Sequence, residues 1–269
     1  MKCCRLTSAA IVASIFLAAH STVATANNQH GDTVLVDLVA TEYTTVEEFL
    51  DALRGLKAAL LDRDDPRVVF VAVYIIQTGQ AQSFLEADLF EDPEWAEALT
   101  LNFANLFRQA FFDYETGNFA ALPQAWKIAF DASQQTGVTI FQHALLGIHA
   151  HVNHDLSHAI AAVTPRAERD RRAHDYMITN DLVIGGILEA EHVIGDEFAP
   201  FLANLDEVLG DFDARLLRVV LTQWRYRAWR NAQFFDGSLP TFYQTVMDWF
   251  LDIQTGYMAR MIAIGGNAS

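Results

Sequence analysis

HALLGIHAHVNHDLSHAIAAVTPRAERDRRAHDYMITNDLVIGGILEAEH, His143–His192, holds seven of the chain's nine histidines. Its apolar residues recur at 3.6-residue spacing on both sides of one break, Thr164-Pro165. That period over such lengths argues for helix rather than strand, with proline punctuating the two. The expectation is two long helices, over about 138–163 and 166–196, antiparallel neighbours at the centre of an all-α domain.

At ~100° per residue, Leu145, Ile148, Val152, Leu156 and Ala159 share the core-facing stripe of the first helix. His151, Asp155 and His158 form a second cluster about 100° round from it. His149 falls within the apolar stripe, where a hydrogen-bonded core histidine is expected. His143 and His154 lie further round, as supporting or solvated residues. In the second helix His174, Asp181, Gly185 and His192 line up on one stripe. Buried polar groups without partners cost roughly 1–3 kcal/mol each, and coordination to a metal or mutual hydrogen bonding removes that cost. The expected metal ligands are therefore His151, Asp155, His158, His174, Asp181 and His192. Asp155-x-x-His158 and Glu189-x-x-His192 both have the acidic-x-x-His spacing of helical two-metal sites. Glu189 is the expected general base, and Gly185-Gly186 would admit a ligand or a closely packed helix.

Working outward, the rest of the chain also reads as helix. Residues 1–26 combine Lys2 and Arg5, an apolar run and Ala24-Thr25-Ala26, which is the pattern of a secretory signal peptide. The reading is an exported chain, periplasmic or released, with a single helical domain over 27–269 and no membrane span after the leader. Cys3 and Cys4 are the two cysteines and both lie in the leader, so no disulfide or thiolate chemistry is expected downstream. A loose terminus over 27–34 precedes helices expected at about 45–62, 67–86, 93–118 and 123–136, then beyond the histidine pair at Pro200–Gly210, 212–235 and 240–264. The run VVFVAVYIIQ is apolar and β-branched enough to compete as a strand, and its unbroken continuation favours a buried helix. The whole chain carries 34 acidic and 18 basic residues for a net charge of −16, a field that disfavours nucleic acid or an anionic membrane as bulk partner.

Arg215, Arg218, Arg225, Arg227 and Arg230 cluster with Trp224, Tyr226 and Trp229 in one late helix. They either neutralise carboxylates of other helices and stack on aromatic rings, or clamp an anionic substrate, with Arg225 and Arg227 as the candidates.

LLGIHAHVNHDL, DYMITNDL and RYRAWRNA together resemble the bacterial family called domain of unknown function 5995, and AVYIIQTGQ and FEDPEWAEALTLNFANLF fit its layout. The resemblance covers most of the chain and implies an all-helical fold without an activity. It singles out His151, Asp155, Asp175, Asn180 and Trp229; Asp175 joins the expected catalytic residues, and Asn180 and Trp229 the substrate-binding ones. Two positions depart from the family pattern. His149 stands where Asn is expected, which alters pocket hydrogen bonding, and Ser157 stands where Pro is expected, which lets the helix run on to His158.

Three functions fit these residues. The first is a hydrolase using a divalent metal, zinc above all, on a phosphate- or ester-containing small-molecule or lipid-like substrate. His-x-x-x-Asp on a helix is similar to exported helical zinc phosphodiesterases, although their N-terminal Trp ligand and Gly-Asp-x-His-Gln-Pro motif are absent. The second is a di-iron or di-manganese oxidase-like protein drawing further carboxylates from Glu47, Glu48, Asp113 or Glu115. The third is a non-enzymatic binder of an apolar ligand, its cavity lined by the 19 phenylalanines. A metal-free proton relay among the histidines is a fourth arrangement of the same residues.

Overall fold

A computed structural model describes residues 31–193, 197–198 and 211–264. The leader read at 1–26 and the helix expected at 200–210 lie outside the described residues. The fold is all-α, and among the described residues there is no strand. A short helix, α1 (Thr33–Leu38), begins at the last two residues of the segment expected to be loose. Asp32 accepts the Val34 and Leu35 N–H groups at its start and pairs with Arg63, fastening it to the turn that closes the next helix.

That helix, α2 (Val46–Leu61), begins with a capping box. Thr45 accepts the Glu48 N–H while the Glu48 carboxylate accepts the Thr45 N–H. Phe49, Leu50, Leu53, Leu56 and Leu60 are all buried. The competing strand resolves as helix α3 (Val68–Glu86). Its first seven residues, Val68–Tyr74, are buried on every side, so the segment shows no apolar period at all. By length and composition α3 passes for a membrane span; its first two turns instead form the middle of the core.

Asp92 caps α4 (Pro93–Glu115), and α5 (Gln124–Asp131) follows a Pro123 start. A second capping box, Thr139 with Gln142, opens α6 (Ile140–Ala150). The chain then passes through a single π-helical turn, His151–Asp155, straight into α7 (Leu156–Val163). A 3-10 turn, Arg166–Glu168, leads to α8 (Arg169–Val193), and α9 (Asp211–Asn231) and α10 (Thr241–Ile264) complete the bundle.

α3 is the hub, packing on α2, α4, α6 and α8, while α10 lies along α5 and α6 and α9 crosses the π turn and α7. Gly147 permits the closest approach: a Cβ there would stand 2.4 Å from Phe70 Cγ, so only glycine lets α6 sit this near α3. At Gly186 of α8 a Cβ would meet the flexible amide end of Gln77, at 2.4 Å.

The antiparallel pairing expected for the two histidine helices gives way to a different arrangement, with α8 seated on α3 and α9. Contacts at the start of α8 account for this. Thr164 is fully buried under a hydrogen bond from Trp95, Arg172 pairs with Asp92, and Asp175 accepts the Glu91 and Asp92 N–H groups at 2.8 and 2.9 Å. Together they draw α8 toward the start of α4.

Candidate functional site

The π turn positions the site. One extra residue in a helical turn sets the residues beyond it back by ~100°, and such turns occur often at functional sites. Angles counted at a constant 3.6 residues per turn therefore fail across His151–Asp155. His154, read as solvated or supporting, is buried, and His158 leaves the expected His151/Asp155 face.

Asp155 is the centre of a buried network. Its Oδ2 accepts from Trp126 Nε1 at 2.7 Å and from His151 Nδ1 at 2.9 Å, and its Oδ1 accepts from His154 Nδ1 at 3.0 Å. His151 Nε2 in turn accepts the Tyr74 hydroxyl at 2.7 Å, and the Phe103 ring stacks flat on the imidazole at 3.4 Å. Tyr74, His151 and Asp155 thus form a hydrogen-bonded triad sealed inside the aromatic core.

The electrostatics of the three follow from burial. Desolvation would push the Asp155 carboxyl up, but the hydrogen bonds from His151 and His154 outweigh it and hold it at about 2. For His151 burial wins over Asp155 and lowers the pKa, so the ring is neutral. For His154 burial opposes a larger combined pull from Asp155, Asp248 and Asp252, and the pKa is raised. Asp155 is thus held ionised, with His154 drawn toward its protonated form and His151 toward its neutral one. Tyr74 is pushed well up by burial and keeps its proton.

Outward from this network stands the candidate metal centre. His154, His158 and Asp248 each offer one ligand atom, all within 4.8 Å of one another. His158 Nε2 lies 3.2 Å from Asp248 Oδ1, and this contact lowers the pKa of the Asp248 carboxyl. With Nδ1 of His154 given to Asp155, its Nε2 is the nitrogen left to coordinate. The exposure rises from buried His154 through His158 to exposed Asp248, so the triplet runs from the core to the surface.

The other flank of the π turn is occupied by a second chain of contacts. His149 is fully buried, as expected of a core histidine: Nε2 donates to the Thr255 carbonyl at 2.9 Å and Nδ1 accepts from Asn153 at 2.9 Å. Asn153 accepts in turn from Arg227. Burial lowers His149 to about 4, and His143, buried rather than solvated, to about 4.

The remaining expected residues are dispersed. His174 is exposed, with Nε2 3.8 Å from a Glu91 carboxylate oxygen, and Asp181 and Gly185 are exposed on the same side of α8. The stripe expected to face inward thus faces solvent at its described positions, because α8 buries Tyr176, Leu182, Gly186 and Ala190 instead. The His192 side chain lies outside the described residues. Glu189 is exposed and accepts from Gln80 at 3.3 Å. Asp175, read as catalytic, is buried and spends both oxygens on the loop before α4.

The anion-clamp candidates are also engaged within the fold. Arg225 is buried and donates to Asn180 Oδ1 and Thr179 Oγ1, both at 2.5 Å. Trp229 stacks on Tyr176 at 4.5 Å, with the Arg169 guanidinium over its ring. Of the carboxylates considered for a two-metal site, Glu48 serves the capping box, Asp113 accepts from Gln109 and Asn118, and Glu115 pairs with buried Arg67. The recess lined by Arg67, Phe70, His143 and Gly147 has a cavity volume of about 10 Å³, room for roughly one water rather than an apolar ligand.

Sequence reasoning passed over Tyr74, Phe103, Trp126 and Asp248. The three aromatic residues read as ordinary core, and nothing local distinguishes them. Asp248 carries a faint signal, a carboxylate inside the apolar run VMDWFL.

A family model described as "Family of unknown function (DUF5995)" matches residues 46–264, from the first residue of α2 to the last of α10. No curated protein and no solved structure matches the chain.

Proposed function

The chain belongs to the DUF5995 family, and from that premise, which brings no activity with it, we propose a divalent-metal-dependent hydrolase with zinc held by His154, His158 and Asp248. The observation that carries the reading is the convergence of these three ligand atoms within 4.8 Å. Zinc in catalytic sites takes three protein ligands and a water, and lowers that water's pKa to about 7. A zinc held by these three residues would supply a hydroxide nucleophile and a Lewis acid, chemistry that suits phosphate- or ester-containing substrates.

The supporting residues fit this use. A ligating histidine ordinarily gives its second nitrogen to a carboxylate, which fixes the tautomer and orients the ring. Asp155 takes that part for His154, and His151, Tyr74 and Trp126 hold Asp155 in turn. Of the ligands read from sequence, His158 keeps its place; His151 and Asp155 move one layer inward as supports. The raised His154 pKa means that metal displaces a proton, so uptake strengthens as pH rises.

The test is elemental analysis of untagged protein, with Asp248→Ala and His158→Ala alongside, followed by hydrolysis of a phosphodiester and an aryl ester. About one zinc per chain is expected, lost in either variant, with each variant's unfolding midpoint matching that of metal-stripped wild type. Two histidines and one carboxylate also suit non-haem iron, so iron or manganese at these ligands would replace the hydrolase with the oxidase-like reading. Folded protein that takes up none of the three metals ends both.

A further inference from the structure

The outer face of α10 is largely apolar, interrupted by Arg260. Phe242, Trp249, Ile253, Tyr257 and Ile264 are exposed by between 39% and 72%, while Leu251, Thr255, Ala259 and Ile262 on the opposite side enter the core. Tyr243, Phe250 and Met261 widen the exposed stripe. A helix apolar on both sides belongs inside something larger. With about half of each large side chain exposed, and such side chains offering ~150–250 Å² apiece, the stripe amounts to ~800 Å². The largest apolar patch of a typical monomer is ~300–600 Å², whereas a stable interface takes ~800 Å² from each partner.

The arrangement along the helix says what covers it. Counted from Ile253, the stripe falls at offsets of −11, −4, 0, +4 and +11, and Ile253 is also the middle of Thr241–Ile264. These five positions read the same in both directions, whereas Tyr243, Phe250, Met261 and Arg260 lie outside the symmetry. A two-fold interface demands that property, since each residue i meets residue j of the copy and j meets i. Two α10 helices laid antiparallel about Ile253 overlap over their full lengths, with Trp249 against Tyr257 and Phe242 against Ile264. A lipid surface is the poorer match: interfacial helices carry Lys and Arg beside their apolar face, and here the neighbours are Asp248, Asp252 and a single Arg260.

The geometry points to a homodimer paired through α10, with its two-fold axis at Ile253. The pairing goes beyond the metal reading and does not depend on it. Each chain carries a net charge of −16, so the copies repel at long range, and added salt screens that repulsion and tightens the dimer.

Sedimentation equilibrium of the full chain, across micromolar concentrations and at low and high salt, reads the association directly. A dimer that strengthens with salt is expected, with Ile253→Asp weakening it at least 100-fold while near-ultraviolet circular dichroism is unchanged. Met177→Asp, at an exposed apolar residue of α8, leaves it intact. Register is read by disulfide trapping in a Cys3→Ser, Cys4→Ser background. Ile253→Cys meets its own copy at the axis and cross-links under mild oxidant. Phe242→Cys stands 22 residues from its copy along the paired helices, ~33 Å away, and does not. A chain that stays monomeric at tens of micromolar at both salt concentrations overturns the proposal. A dimer indifferent to Ile253→Asp, or stripe-dependent binding of the chain to phosphatidylcholine vesicles, overturns it equally.

Discussion

Asp155→Ala removes one carboxylate and strands three buried donors at once: Trp126 Nε1, His151 Nδ1 and His154 Nδ1. An unsatisfied buried donor costs ~1–3 kcal/mol, and breaking a buried ion pair by removing one partner costs ~3–5 kcal/mol. The three losses share one acceptor and do not add in full, which gives an expected destabilisation of ~4–6 kcal/mol out of a total of about 5–15 kcal/mol. Asp155→Asn keeps one acceptor oxygen and is expected to cost about half as much. The carboxylate also carries a pH signature. Its pKa falls from 3.8 to about 2 on folding, so its contribution is present above pH ~4 and is lost as pH falls through about 2, a loss of ~2 kcal/mol that the Asn variant lacks. Guanidinium unfolding followed by tryptophan fluorescence measures all three proteins. An Asp155→Ala protein within ~1 kcal/mol of wild type would refute the reading of Asp155 as the carboxylate on which the network converges.

Gly147→Ala pushes a methyl group to within 2.4 Å of Phe70, and overpacking of this kind costs ~1–3 kcal/mol in the same unfolding assay; an unchanged midpoint would mean that α3 and α6 are not wedged as described. His149, lowered to about 4 by burial, is neutral in the folded chain, so stability is full above the ordinary histidine range near 6.5 and declines as pH falls toward 4, by up to ~3 kcal/mol. His149→Gln is expected to flatten the stability-against-pH curve by about one proton across that window, and a curve of unaltered slope would place the proton uptake elsewhere.

Much of the helical framework was legible because its causes are local. Thr45 and Glu48 cap α2, Asp92 and Pro93 start α4, and Thr139 and Gln142 start α6 through contacts spanning three residues. The site was legible in part for the same reason. His151 and Asp155 stand four residues apart and pair as the helical period requires. The phase beyond them was not legible, because no residue in HVNHD announces a π turn, and the turn changes which face His154 and His158 occupy.

Composition and local spacing therefore determined an all-helical chain and a histidine-rich helix with a polar interior face. Tertiary structure alone decided which carboxylate faces His158, which ring covers His151 and which side of α8 is buried. Tyr74, Trp126 and Asp248 lie 77, 29 and 90 residues from their histidine or aspartate partners. Capping is fixed by the backbone geometry of one turn and can be read from a few neighbouring letters. Contacts across such separations are chosen by how whole helices pack, and many sequences of the same local pattern would pack differently. On α8 the stripe of His174 and Asp181 had the right period and the wrong orientation, because the period of a helix fixes which residues share a face and only its neighbours fix which face is turned inward.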